Sequence, residues 1–129
     1  MNILVTNNPL VQAQYQDDFR VIFLDTDLIG VLTHTRDKIH NGHQLLTHPL
    51  SGSLKPNESP YKSVLLTEEI KQPDPQSKTN QHPKTDTQSV TIIEESIITA
   101  KKFPQKTIPE EHLKDMQTVD LSLIRAALG

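Results

Sequence analysis

Between His40 and Ser63 the chain reads HNGHQLLTHPLSGSLKPNESPYKS, and this stretch gathers most of the groups that could do chemistry. His48 can give or take a proton near neutral pH. Ser51, Gly52 and Ser53 supply hydroxyl and backbone donors in a small turn, Lys55 and Lys62 supply positive charge, and Tyr61 adds a phenol. Pro49, Pro56 and Pro60 stiffen the segment between them. A polar loop of this length in a compact domain is functional or disordered more often than it is a plain connector. The chemistry that suits this set is capture of a small anion, a phosphate or a carboxylate. Asn7 and Asn8, directly before Pro9, fit the same purpose, because Asn caps a helix start and helix-start N–H groups favour negative charge. A purely structural reading stands beside this one. Asn7 and Asn8 then only cap, Ser51-Gly52-Ser53 only turns, and the prolines only shape the loop.

Other chemistries find less support. His34, His40, His43 and His48 crowd one region, but their spacing repeats no compact zinc pattern, so no metal is expected. Ser51, Ser53, Ser59 and Ser63 surround His48 with Glu58 nearby, yet no G-x-S-x-G elbow is present and no catalytic residue is assigned. Acid–base work by His48, or by Tyr61 beside Lys62, stays open. In strand register Tyr61 and Lys62 would alternate, so only one of them is expected to face a site. Neither a Walker loop nor G-x-G-x-x-G occurs, and no cofactor is expected.

The chain has no cysteine, which removes disulfides, thiolate nucleophiles, zinc–thiolate sites and thioester carriers together. Thirteen basic residues face sixteen acidic ones, so the broad positive field of a nucleic-acid binder is missing. MNILVTNNPL holds no basic lead and no long apolar segment, and no run reaches membrane-spanning length. A cytoplasmic protein without membrane or nucleic-acid partners is the expectation.

The elements that would position these groups follow from the apolar pattern. Asn2 to Thr6 and Phe19 to Leu24 read as strands, with a short helix from Pro9 to about Tyr15 between them. Asp25-Thr26-Asp27 caps a second helix whose stripe is Leu28, Leu32, Thr35 and Ile39, and Asn41-Gly42 can close it in the left-handed conformation. His43 to Thr47 reads as a third strand and Tyr61 to Thr67 as a fourth. Glu68 to Gln88, with three prolines and a single apolar residue, reads as a flexible polar excursion. Thr91 with Glu94 and Thr107 with Glu110 fit capping boxes for two further helices, and Asp120 could cap a last one.

These elements predict one α/β domain over residues 1–129, three-layered and Rossmann-like, with 68–88 as a linker within it. The sheet would hold about four strands, mostly parallel, with one antiparallel edge strand. The loops after the first and third strands would then converge on the carboxyl rim, where open α/β sheets bind ligands.

Three segments, TNNPLV at Thr6 to Val11, RDKIHNGHQLLTHPLSGSLKPNESPYKSVL at Arg36 to Leu65 and QTVDLSLI at Gln117 to Ile124, resemble the GrdX family. These are small proteins associated with glycine, sarcosine and betaine reductase gene clusters of amino-acid-fermenting anaerobes. The resemblance spans nearly the whole chain except 68–88 and carries no catalytic residue over. It implies an accessory role beside selenoprotein reductases, with reductase components as partners. Those reductases use selenol, thiol and thioester chemistry, so a chain without cysteine would assist by binding, assembly or regulation, or run a separate small reaction.

Overall fold

The computed structural model describes residues 1–50, 55–70 and 85–129. The order is β1 (Ile3–Thr6), α1 (Pro9–Tyr15), β2 (Arg20–Phe23), α2 (Leu28–His40), β3 (Ser63–Leu66), α3 (Thr87–Lys101) and α4 (Glu110–Leu128). The sheet order is β2-β1-β3. β1 and β2 are parallel, with Ile3 beside Arg20 and Thr6 beside Phe23. β1 and β3 are antiparallel, with Ile3 beside Leu66 and Thr6 beside Ser63.

This corrects the expected sheet. It has three strands and is mixed, with one parallel pair, and is not a mostly parallel four-stranded Rossmann-like sheet. The proposed third strand, His43 to Thr47, touches β3 through one isolated bridge, Leu45 to Leu66. Its ladder is diverted by side chains. Thr47 Oγ1 accepts the Leu65 amide at 3.0 Å, and Leu45 donates its own amide to Ser89 Oγ at 3.0 Å. Backbone groups satisfied by hydroxyls need no strand partner, so the segment lies along β3 without extending the sheet.

Period-two alternation splits the core. Ile3 and Val5 of β1, with Val64 and Leu66 of β3, pack under α2 and α3 against Leu28, Leu32, Ile39, Ile93 and Ile97. Leu4 and Leu65 point the other way, to Val11 of α1 and Ile124 of α4. Helices therefore cover both faces. Each such aliphatic side chain withdrawn from water contributes about 1.5–3 kcal/mol.

The helix ends follow local chemistry. Asn8 Oδ1 accepts from Leu10 N at 3.0 Å and Asp27 Oδ1 from Gly30 N at 2.8 Å, so both early caps form. The later caps differ from expectation. Asp86 caps α3, accepting from Ser89 N at 3.0 Å, so Thr91 sits inside the helix and Thr87 and Gln88 already belong to it. Of the excursion expected over 68–88, residues 71–84 lie outside the described residues. α4 begins at Glu110 behind Pro109 with no side-chain cap, so Thr107 and Glu110 form no box, and the helix runs unbroken through Asp120. No helix among the described residues is long and apolar enough to cross a membrane.

At the end of α2, Gly42 has φ 106°. Its amide reaches Ile39 O at 3.0 Å, and the His43 amide reaches Lys38 O at 3.2 Å. That is the double closure of a Schellman turn, in the region where a β-carbon is strained. Gly42→Ala should cost about 1 kcal/mol or more. Urea unfolding would read this, and an unchanged midpoint would reject the assignment.

Candidate functional site

The carboxyl end of β1 and the start of β3 meet at Thr6 and Ser63. There the polar side chains form a directed chain. The Asn8 amide donates to Thr6 Oγ1 at 3.0 Å, Thr6 Oγ1 and Ser63 Oγ lie 2.7 Å apart, and Ser63 Oγ donates to Asp120 Oδ2 at 2.8 Å. A hydroxyl has one proton. Ser63 commits its proton to Asp120, so Thr6 must donate to Ser63. Asn8 Nδ2 adds a second bond to Asp120 Oδ2 at 3.0 Å. Asp120 is only 4% exposed.

Asn7 and Asn8 were expected to face a ligand; both are buried and engaged inside the protein. Asn7 Nδ2 donates to Thr26 O at 2.9 Å and Pro60 O at 2.8 Å, while its Oδ1 accepts from Lys62 N at 2.9 Å. It thereby staples the loop after β2 to the loop before β3. Thr26 is itself pressed onto α2 at Gly30, where a Cβ would collide with its side chain. Asn8 caps α1 through Oδ1, and its Nδ2 also reaches Gln117 O at 2.9 Å. Both donors of each Nδ2 are thus used.

Lys55, Tyr61 and Lys62 line one small cleft together with Ser59 and Asp120. The cleft volume is about 10 Å³, room for about one water. Tyr61 and Lys62 both line it, contrary to the alternation expected, because β3 starts only at Ser63. Tyr61 Oη accepts from Gln117 Nε2 at 2.9 Å, and Ser59 Oγ accepts from Tyr61 N at 3.2 Å. His48 is exposed and does not line the cleft; its Nδ1 accepts from Leu50 N at 3.1 Å. Ser51, Gly52 and Ser53 lie outside the described residues. Of the other histidines near this region, His40 faces Glu94 and His43 bonds the Thr67 carbonyl through Nδ1 at 2.8 Å.

A larger hollow of about 320 Å³ lies at the opposite end of the sheet, beside Asn2, Leu46, Thr67 and Glu68. The perturbed groups are in the small cleft, which makes it the better candidate. Burial pushes the Lys62 amine below its ordinary 10.5, with the Asp120 charge opposing in part. Burial pushes the Asp120 carboxyl above its ordinary 3.8, offset in part by the Asn8 and Ser63 hydrogen bonds and by Lys62. For both groups, removal from water outweighs their mutual attraction.

Sequence reasoning missed Asp120 as a site residue and read it as a cap. The signal lay in helical spacing. Gln117, Asp120 and Ile124 fall at three- and four-residue steps on the buried stripe of α4, and a carboxylate in that row must meet partners in the core. Two outcomes follow. Asp120→Ala strands the donors of Asn8 and Ser63 and should cost about 3 kcal/mol or more. Asp120→Asn keeps an acceptor and removes the charge. A folded pKa above 3.8 means that the parent loses stability as pH rises from 3.8 through the raised value. The Asn variant lacks that loss, and its Lys62, without a counter-charge, gains stability as pH rises through a still lower value. The stability difference, measured by urea unfolding from about pH 4 to about pH 8, should therefore move in the variant's favour. A flat difference would contradict the raised carboxyl.

No curated protein and no solved structure matches the chain. A family described as GrdX-like protein matches residues 3–129, which include Asn7, Asn8, the 55–62 loop, Ser63 and Asp120. The chain therefore belongs to the GrdX-like protein family.

Proposed function

We propose that this chain is a non-redox accessory protein of glycine-reductase-type amino-acid fermentation, acting by binding at the carboxyl rim. Family membership supports the setting. The binding role rests on exposed Lys55 in the rim cleft, while the commitment of the rim's other polar groups speaks against a general-base centre. Asn7, Asn8, Ser63 and Tyr61 are spent on internal hydrogen bonds, and exposed His48 stands outside the cleft. A rim so used fixes a loop; a general-base centre would aim a free histidine into a pocket. Lys55, exposed at the mouth of the same cleft, is available to a partner or to a small anion. With no cysteine, the chain cannot hold the thiol or thioester intermediates of such a reductase.

The competing reading is a small enzyme acting on a phosphorylated or carboxylate metabolite at this rim, formed by Asn7 and the His48 to Lys62 loop. Its support is the paired displacement of Lys62 and Asp120 from their ordinary pKa values.

Purified glycine, sarcosine or betaine reductase components should turn over in a thiol-driven assay without this chain, and adding it should change yield, stability or assembly. Strict stoichiometric dependence of each turnover on the chain would sink the non-redox reading. For the ligand, amide NMR with phosphate, sulfate, glycine and acetyl phosphate should shift Lys55 to Lys62. If none of these perturbs those amides at about millimolar concentration, the rim does not bind small anions and protein docking is left as its role.

A further inference from the structure

We infer that the open edge of β2 docks a protein partner, which adds an extended, apolar segment with basic ends beside it. The two outer edges of the sheet are treated differently. Along β3 the segment 43–47 covers the edge: the Leu46 amide donates to Leu65 O at 2.9 Å and the Thr67 amide to Gln44 O at 2.9 Å. Beyond β2 no further strand joins the sheet among the described residues. The Arg20 amide donates to Asn2 O and the Leu24 amide to Thr6 O, each at 2.9 Å. In a parallel ladder that parity commits Arg20, Ile22 and Leu24 to β1 and turns the amides and carbonyls of Val21 and Phe23 outward. A row of outward groups of this kind is a template for an added strand. Phe19, Val21, Ile22, Phe23 and Leu24 are all only half-buried, so the edge is apolar as well.

Charge selects the occupant. Exposed Asp17 and Asp18 stand at one end of β2 and exposed Asp25 and Asp27 at the other, with Arg20 the one basic residue between them. Two copies of this chain paired antiparallel along β2 would set the 17–18 end of each against the 25–27 end of the other, carboxylate against carboxylate. A segment with lysine or arginine at both ends meets opposite charge instead. α2 supplies a wall for it. Thr33, His34 and Asp37 border an open hollow of about 420 Å³ together with Leu24 and Asp25, directly past the end of β2. A basic side chain at that end of the partner enters a hollow bordered by two carboxylates.

This inference goes beyond the role at the rim and needs neither Lys55 nor the rim cleft. The probe is a short synthetic peptide of alternating threonine and valine with a lysine pair at each end, titrated into the isolated protein and followed by amide NMR. Shifts should centre on Arg20 to Leu24. Hydrogen exchange should slow at Val21 and Phe23, while Ile22 and Leu24, already bonded to β1, change little. A glutamate-ended peptide with the same core should bind at least about tenfold more weakly, a gap that added salt narrows. Val21→Pro removes an outward amide without touching the ladder to β1, so it should keep the fold and weaken the lysine-ended peptide about tenfold or more. Should that variant not fold, a lysine-ended peptide N-methylated on its edge-facing amides should show the same loss against the parent protein. If the lysine-ended peptide leaves these amides unmoved at about millimolar concentration, the aspartates only guard the edge and the inference falls. Equal binding of the glutamate-ended peptide would also overturn it. So would shifts of Val21 and Phe23 with protein concentration alone, which would make a second copy the occupant.

Discussion

A carboxylate taken out of water must be answered by donors, and Asp120 is the group around which this rim is arranged. Two donors reach its Oδ2, one from Asn8 at the head of α1 and one from Ser63 at the start of β3. Ser63 is in turn supplied by Thr6, and Thr6 by the Asn8 amide. One acceptor thus sets the proton direction of the whole row. A buried ion of this kind is a weak source of stability, because desolvation offsets its attractions. What it adds is definition: α1, β1, β3 and α4 have one relative arrangement in which every donor is used.

Asn7 performs the complementary task one residue away. Where Asn8 faces α4, Asn7 faces the loops, tying Thr26, Pro60 and Lys62 to a single amide. Adjacent positions at a strand end point to opposite sides. The Asn7-Asn8 pair uses that fact to hold the helical layer with one residue and the loop layer with the other. Lys62 is the residue that both arrangements touch, through its backbone to Asn7 and through charge to Asp120.

The first half of the chain was legible because its signals are local. Asn8 before Pro9, Asp27 three residues before Gly30, and Gly42 after Lys38 and His40 each settle an end by nearest-neighbour chemistry. The Leu45-Leu46 run misled, since an apolar pair looks the same whether both residues sit in a ladder or one is left 49% exposed, as Leu46 is. What decided it was Ser89 and Thr47 hydroxyls reaching the backbone, and no window around Leu45 contains Ser89. The capping boxes failed for a related reason: Thr91 has the right spacing, but Asp86 lies earlier and caps more strongly. Lys55, Tyr61 and Lys62 of the expected loop line one cleft, yet the roles of Asn7, Asn8 and Asp120 depend on partners far away in sequence.

That separation has a bearing on how the protein is made. The bond between Asn8 and Asp120 joins residues 112 positions apart. During synthesis α1, the sheet and α2 emerge well before α4, with Leu4, Val11 and Leu65 facing water on the side that α4 later covers. A ribosome adding about 5–20 residues per second leaves that apolar face open for seconds. Premature termination ahead of α4 would leave that apolar face uncovered and the rim without Asp120.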